Sequence, residues 1–139
     1  MTKVYPYRFK ATNWPRSIVL WWKLPLIWRW FSFSREPTMY VNSPDNPFEI
    51  EHEYGHVVWL WEKGWFTFYW CYITQKTFKR DAECYANARR IKMQVDSGGY
   101  DADALFTYWG KVTSQAYGVG TPARCEEVIR FYYEGLLNA

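Results

Sequence analysis

The chain has 139 residues, enough for one domain with a real core and too few for two independent ones. Its hydrophobic content of 49% and charged content of 22% are ordinary for a folded domain, which argues against a disordered chain. The net charge of +3 conceals an asymmetry: residues 1–35 carry seven basic residues and no acidic one, while the remainder carries 10 basic and 14 acidic. The aromatic share is high at 22%, with 10 Trp and 12 Tyr, so a small domain can bury a large apolar area with few side chains. Cys71, Cys84 and Cys125 are odd in number and widely spaced. This argues against a disulfide framework and points to the cytoplasm or another reducing compartment. The first residues lack the apolar core and small-residue cleavage site of a secretory signal. The most apolar stretch, Ile18 to Phe33, is interrupted by Lys23, Pro25 and Arg29 and is too short and too charged to span a bilayer.

Residues 3–41 read as extended structure. Tyr5, Tyr7 and Phe9 alternate with Pro6, Arg8 and Lys10, and the runs Ile18–Trp22, Ile27–Phe33 and Thr38–Val41 are rich in branched and aromatic residues. They predict two or three strands of a small, mostly antiparallel sheet; Pro25 breaks the competing helix. The turn cluster Asn42–Pro47 then leads into a helix, with Asn46 as cap, Pro47 at the first position and Glu49 at the third. Gly64 ends it, giving a helix from Pro47 to Lys63. At about 100° per residue, Ile50, Tyr54, Val57, Val58 and Trp61 share one apolar face, with His52 and His56 on the other side.

Residues 65–76 are rich in aromatics and show no clear period, so they read as a connector. A second helix starts near Thr77 to Asp81 and runs to about Ser97, with Cys84, Ala88, Ile91 and Val95 as its buried stripe and Gly98–Gly99 as its stop. Helices over about 101–117 and 122–137 follow, the last capped by Thr121. The expected fold is α+β: one domain with an N-terminal sheet (1–41), metal-site helices (47–97) and C-terminal helices (101–137).

Both histidines of the chain fall in one pentapeptide, His52-Glu53-Tyr54-Gly55-His56. This H-E-x-x-H spacing puts two imidazoles on one helix face, where they can hold zinc beside a carboxylate suited to proton transfer. A catalytic zinc has three protein ligands and one exchangeable position. No other histidine exists, so the third ligand must be a carboxylate, a thiolate or something weaker. Glu83, near the start of the next helix, is the first candidate, with Asp81 and then Cys84 behind it. Asn87 lies about 40° from Glu83 on the helical wheel, which suits a hydrogen-bond partner behind a ligating histidine. Gly55 lacks a side chain and would let another backbone approach.

His52, Glu53 and His56 with a glutamate on a following helix resemble the gluzincin branch of zinc metallopeptidases. Glu83, Ala86 and Asn87, read as E-x-x-A-N, resemble the compact ImmA/IrrE-type metallopeptidases. The resemblance covers roughly residues 38–92. It implies a zincin-like domain with one Zn2+ per chain, held by His52, His56 and Glu83, acting on a protein or peptide. Glu53 would be the catalytic general base. It further implies that the strand Thr38–Val41 is an edge on which an extended substrate pairs. The downstream histidine that supports the transition state in that family is absent, so such a role would pass to a Tyr or Arg. Hydrolysis of a non-peptide amide would use the same chemistry.

Between residues 5 and 33, ten aromatics alternate with the basic residues. Rings interleaved with Lys and Arg suit single-stranded nucleic acid through residues 3–35, and they also suit a membrane interface. A sheet with one buried aromatic face explains the alternation equally. A non-catalytic zinc-stabilised binding module, using this surface for nucleic acid or a protein partner, is therefore the alternative function. Residues 1–16 could also cover a cleft.

Overall fold

A computed structural model of the protein describes residues 3–21 and 36–139. The predicted strand Ile27–Phe33 lies outside the described residues. The architecture is α+β, with a small N-terminal sheet on a helical body. Its elements are β1 (Arg8–Ala11), β2 (Ile18–Leu20), β3 (Thr38–Val41), α1 (Pro47–Lys63), α2 (Trp65–Thr74), α3 (Lys76–Ser97), α4 (Ala102–Tyr117) and α5 (Pro122–Leu137).

Among the described residues the sheet has the order β1-β3-β2. β2 pairs antiparallel with β3, with Val19 opposite Met39, while β1 pairs parallel with β3, with Phe9 opposite Met39. The pairing is thus more mixed than the sequence predicts. β3 is the central strand, so Thr38–Val41 is not the free edge that the family resemblance implies. Alternation within a four-residue run shows which face is buried but not which neighbours flank the strand. Met39 and Val41 are fully buried, as an inner strand requires.

α1 begins where expected, because the Asn46 side chain accepts from the Phe48 and Glu49 amides and Pro47 occupies the first turn. Its apolar face meets the sheet: Val57 and Val58 join Val19, Met39 and Val41 in one core cluster, with Ile50, Tyr54 and Trp61 packed against it. α3 is the central helix. Cys84, Ala88 and Ile91 face α4 and α5 in a second cluster with Phe106, Val128 and Ile129. The opposite side of α3 packs on α1, which buries the histidine face as well. Gly55 allows this contact, since a Cβ there would lie 2.8 Å from the Ala86 Cα. Two ion pairs fasten the same interface, Arg89 Nε to Glu51 Oε1 at 2.9 Å and Arg90 Nη2 to Glu49 Oε2 at 2.6 Å.

Residues 65–74 form a helix, α2, rather than a connector. Trp65, Phe68, Tyr69 and Tyr72 repeat at helical spacing and turn inward. Phe66, Trp70 and Ile73 are equally apolar yet 64%, 60% and 80% exposed, so they mask the period. The described aromatics of the basic arm are largely tied into the fold. Trp21 packs on Trp61 with ring centroids 4.5 Å apart, and Tyr5 stacks on Trp61 at 6.5 Å. No helix among the described residues is long and apolar enough to cross a membrane.

Candidate metal centre

α1 and α3 bring His52, His56 and Glu83 together in a buried group whose ligand atoms all lie within 4.8 Å of one another. The i, i+4 spacing of the histidines puts both rings on the α3 side of α1, with centroids 5.2 Å apart. Glu83 reaches them from the second turn of α3. His52 Nε2 lies 3.4 Å from Glu83 Oε2, and His56 Nε2 lies 3.4 Å from Glu83 Oε1. Two donors bound to one zinc at 2.0–2.2 Å on a tetrahedral angle stand about 3.4 Å apart, the distance at which each histidine meets its nearer Glu83 oxygen. Glu83 is only 2% exposed, and its Oε2 has no hydrogen-bond partner. A buried carboxylate oxygen without a proton donor is costly unless a cation meets it. The group could therefore hold a metal ion.

Asn87 stands behind His52. Its Oδ1 lies 2.8 Å from His52 Nδ1, its Nδ2 donates to Thr113 Oγ1 at 2.8 Å, and the Thr113 hydroxyl donates to the Trp109 carbonyl at 2.6 Å. The chain of donors fixes one sense. Thr113 spends its proton on a carbonyl, so it accepts from the Asn87 amide, and Asn87 turns its oxygen to His52. His52 then carries its proton on Nδ1 and has the Nε2 lone pair free for a cation held beside Glu83.

Asp81 and Cys84, the other candidate ligands, face elsewhere. Asp81 pairs with Arg80 Nε at 3.1 Å, and the Cys84 thiol donates to the Cys125 carbonyl at 3.6 Å inside the second core.

The electrostatics of the group are strongly coupled. Burial pushes the Glu53 carboxyl above its ordinary value, and His52 and His56 only partly oppose this. Burial also acts to raise Glu83, but His56 and His52 overcome it and hold that carboxyl well below the usual range. His56 responds in kind: burial alone would depress it, yet Glu83 lifts it to about 9.

Two clefts meet at the group. The larger, about 720 Å³, runs past Trp14, Ile18, Leu20, Phe68 and Tyr69 to His56 and Glu83. The smaller, about 390 Å³, is more polar and is lined by Asn42, Ser43, Glu49, Arg90 and Asn87 beside His52. Glu53, Tyr117 and Pro15–Ser17 border both, so part of segment 1–16 does line the cleft. β2 rather than β3 forms the strand wall of the larger cleft.

Sequence reasoning missed Tyr72, whose hydroxyl donates to Glu83 Oε1 at 2.5 Å, and Tyr117, whose phenol is raised by burial and then by the Glu83 and Glu53 carboxylates. Reading residues 65–74 as a helix would have put Tyr72 on the same face as Phe68, toward the histidines. Nothing in the spacing singles out Tyr117 or Thr113. No known protein family, curated protein or solved structure matches the chain.

Proposed function

We propose that this protein is a zinc-dependent metallopeptidase of the gluzincin type that hydrolyses a peptide bond in a protein or peptide. The observation that carries the reading is the meeting of His52, His56 and Glu83 at the junction of two clefts, with the Glu53 carboxyl on their shared wall. A structural zinc site is closed on all sides, and an open one beside a general base favours catalysis over a zinc-stabilised binding module.

His52, His56 and Glu83 would hold the ion. Bound zinc supplies Lewis acidity, lowering the pKa of water toward about 7 and polarising a carbonyl oxygen. Glu53 takes a proton from the attacking water on its carboxylate and returns it to the leaving amine nitrogen. A carboxyl raised by burial is suited to both halves of that transfer, since it accepts a proton and holds it until the amine departs. The larger cleft is mostly apolar and would take an apolar side chain next to the cleaved bond.

The test is a peptide-library digest read by mass spectrometry, run with the zinc-loaded parent and with Glu53→Gln. The parent should cleave, whereas Glu53→Gln should keep its zinc and lose hydrolysis by at least about a hundredfold, the scale of a lost general base. Equal cleavage by both would remove Glu53 from its role. One equivalent of zinc with no cleavage of any peptide would favour the binding module.

A further inference from the structure

We propose that Tyr72 is a positioning residue that makes Glu83 a one-oxygen ligand, occupying Oε1 with its hydroxyl and leaving Oε2 as the single donor to the cation. The inference rests on the metal reading given above and goes beyond it by assigning a role to each oxygen of one side chain.

Its basis is an asymmetry within the Glu83 carboxylate. Each oxygen lies 3.4 Å from one histidine Nε2, but only Oε1, the one facing His56, accepts a 2.5 Å hydrogen bond from the Tyr72 hydroxyl. Oε2 is buried, has no hydrogen-bond partner and lies 3.4 Å from His52 Nε2. A carboxylate free on both oxygens can meet a cation through one or through both, and the second mode raises the coordination number. A phenol bonded to an ionised carboxylate makes a charge-assisted hydrogen bond, roughly twice as strong as a neutral one. Away from water that bond has little competition. Oε1 is thereby engaged, and the position it would take on the cation stays open for substrate.

Tyr72 is itself held in place. Its ring stacks on Phe68 with centroids 5.6 Å apart and an interplanar angle of 21°, and the Lys79 ammonium lies 5.3 Å from its centroid. The His56 ring meets it edge-on at 6.5 Å. The hydroxyl cannot swing off Glu83 without unstacking these rings. A second phenol, Tyr117, stands nearby with Lys79 5.5 Å from its ring centroid, yet the short bond belongs to Tyr72.

The experiment loads the parent, Tyr72→Phe and Tyr69→Phe with one equivalent of cobalt(II) and records the visible ligand-field bands. Zinc K-edge absorption on the same three proteins counts the light-atom neighbours. Four-coordinate cobalt absorbs much more strongly than five-coordinate cobalt, so Tyr72→Phe should lose about half or more of the parent's band intensity. The zinc neighbour count should rise from four to five. Tyr69→Phe should match the parent, because the Tyr69 hydroxyl serves the backbone of β2 at Val19 and Trp21. Phe at position 72 removes one oxygen from a half-buried ring and keeps the stacking, so the fold is retained. Identical cobalt bands and zinc neighbour counts in Tyr72→Phe and the parent would overturn the inference. A parent that takes up neither metal would overturn the metal reading itself, and this inference with it.

Discussion

Glu53 and Glu83 sit in one buried group, yet their surroundings drive the two carboxyls in opposite directions. Glu53 is dominated by burial and rises, whereas Glu83 lies between two imidazoles and falls. The partner of that fall is His56, lifted to about 9. A cation entering the group must displace the proton that His56 otherwise holds, while Glu83 is already ionised and offers no competition. Zinc affinity should therefore climb about tenfold per pH unit between pH 6 and 8.5 and level off above about 9. Chelator competition across that range measures it, and a flat profile would take His56 out of the ligand set. Asn87 acts through His52 by fixing its proton on Nδ1. Asn87→Ala should weaken zinc binding by about 10–100-fold with the fold intact, read by the same competition. His52, Glu53 and His56 were legible because the two histidines of the chain stand at one helical spacing, and Glu83 and Asn87 because they lie one turn apart near the start of the next helix. Tyr72 and Thr113 were not, since they arrive from α2 and α4, and no spacing rule links those helices to the histidines.

The interface between α1 and α3 sets the distances within the site, and it depends on a small-residue contact. A Cβ at position 55 would meet the Ala86 Cα at 2.8 Å and its Cβ at 3.1 Å, closer than side chains pack. Gly55→Ala must push the two helices apart, at a cost of about 1–3 kcal/mol. Since His52 and His56 lie on one helix and Glu83 on the other, the same change should weaken zinc binding. Urea unfolding and zinc competition on one sample should show both losses, and a variant with unchanged stability would deny the close approach. Helices α1 and α3 could be drawn from sequence because each has a glycine stop and a stripe of 3.6 period, and α5 because Thr121 caps it. α2 could not, because its solvent face is as apolar as its inner face. Strand neighbours were equally hidden: Met39 and Val41 announce a buried face, but nothing in Thr38–Val41 says that β1 and β2 flank it on either side.

In the whole molecule the metal group lies between two cores. The sheet, α1, α2 and one side of α3 share one cluster, and the other side of α3 shares the second with α4 and α5. The clefts open along the seam, so the fold gathers three side chains that could hold an ion and leaves them bordered by two openings. That arrangement explains why a pattern of alternating strands and capped helices could predict the α+β class while leaving the cleft unseen: its walls come from β2, α2 and α4, which the sequence does not connect. Metal analysis after zinc loading and gel filtration tests most directly whether His52, His56 and Glu83 hold one divalent ion. The parent should carry one equivalent of zinc, and Glu83→Ala should carry about a tenth or less, since the histidine pair alone leaves the cage incomplete. A parent that emerges free of zinc, or a Glu83→Ala protein as fully loaded as the parent, would contradict that ligand set.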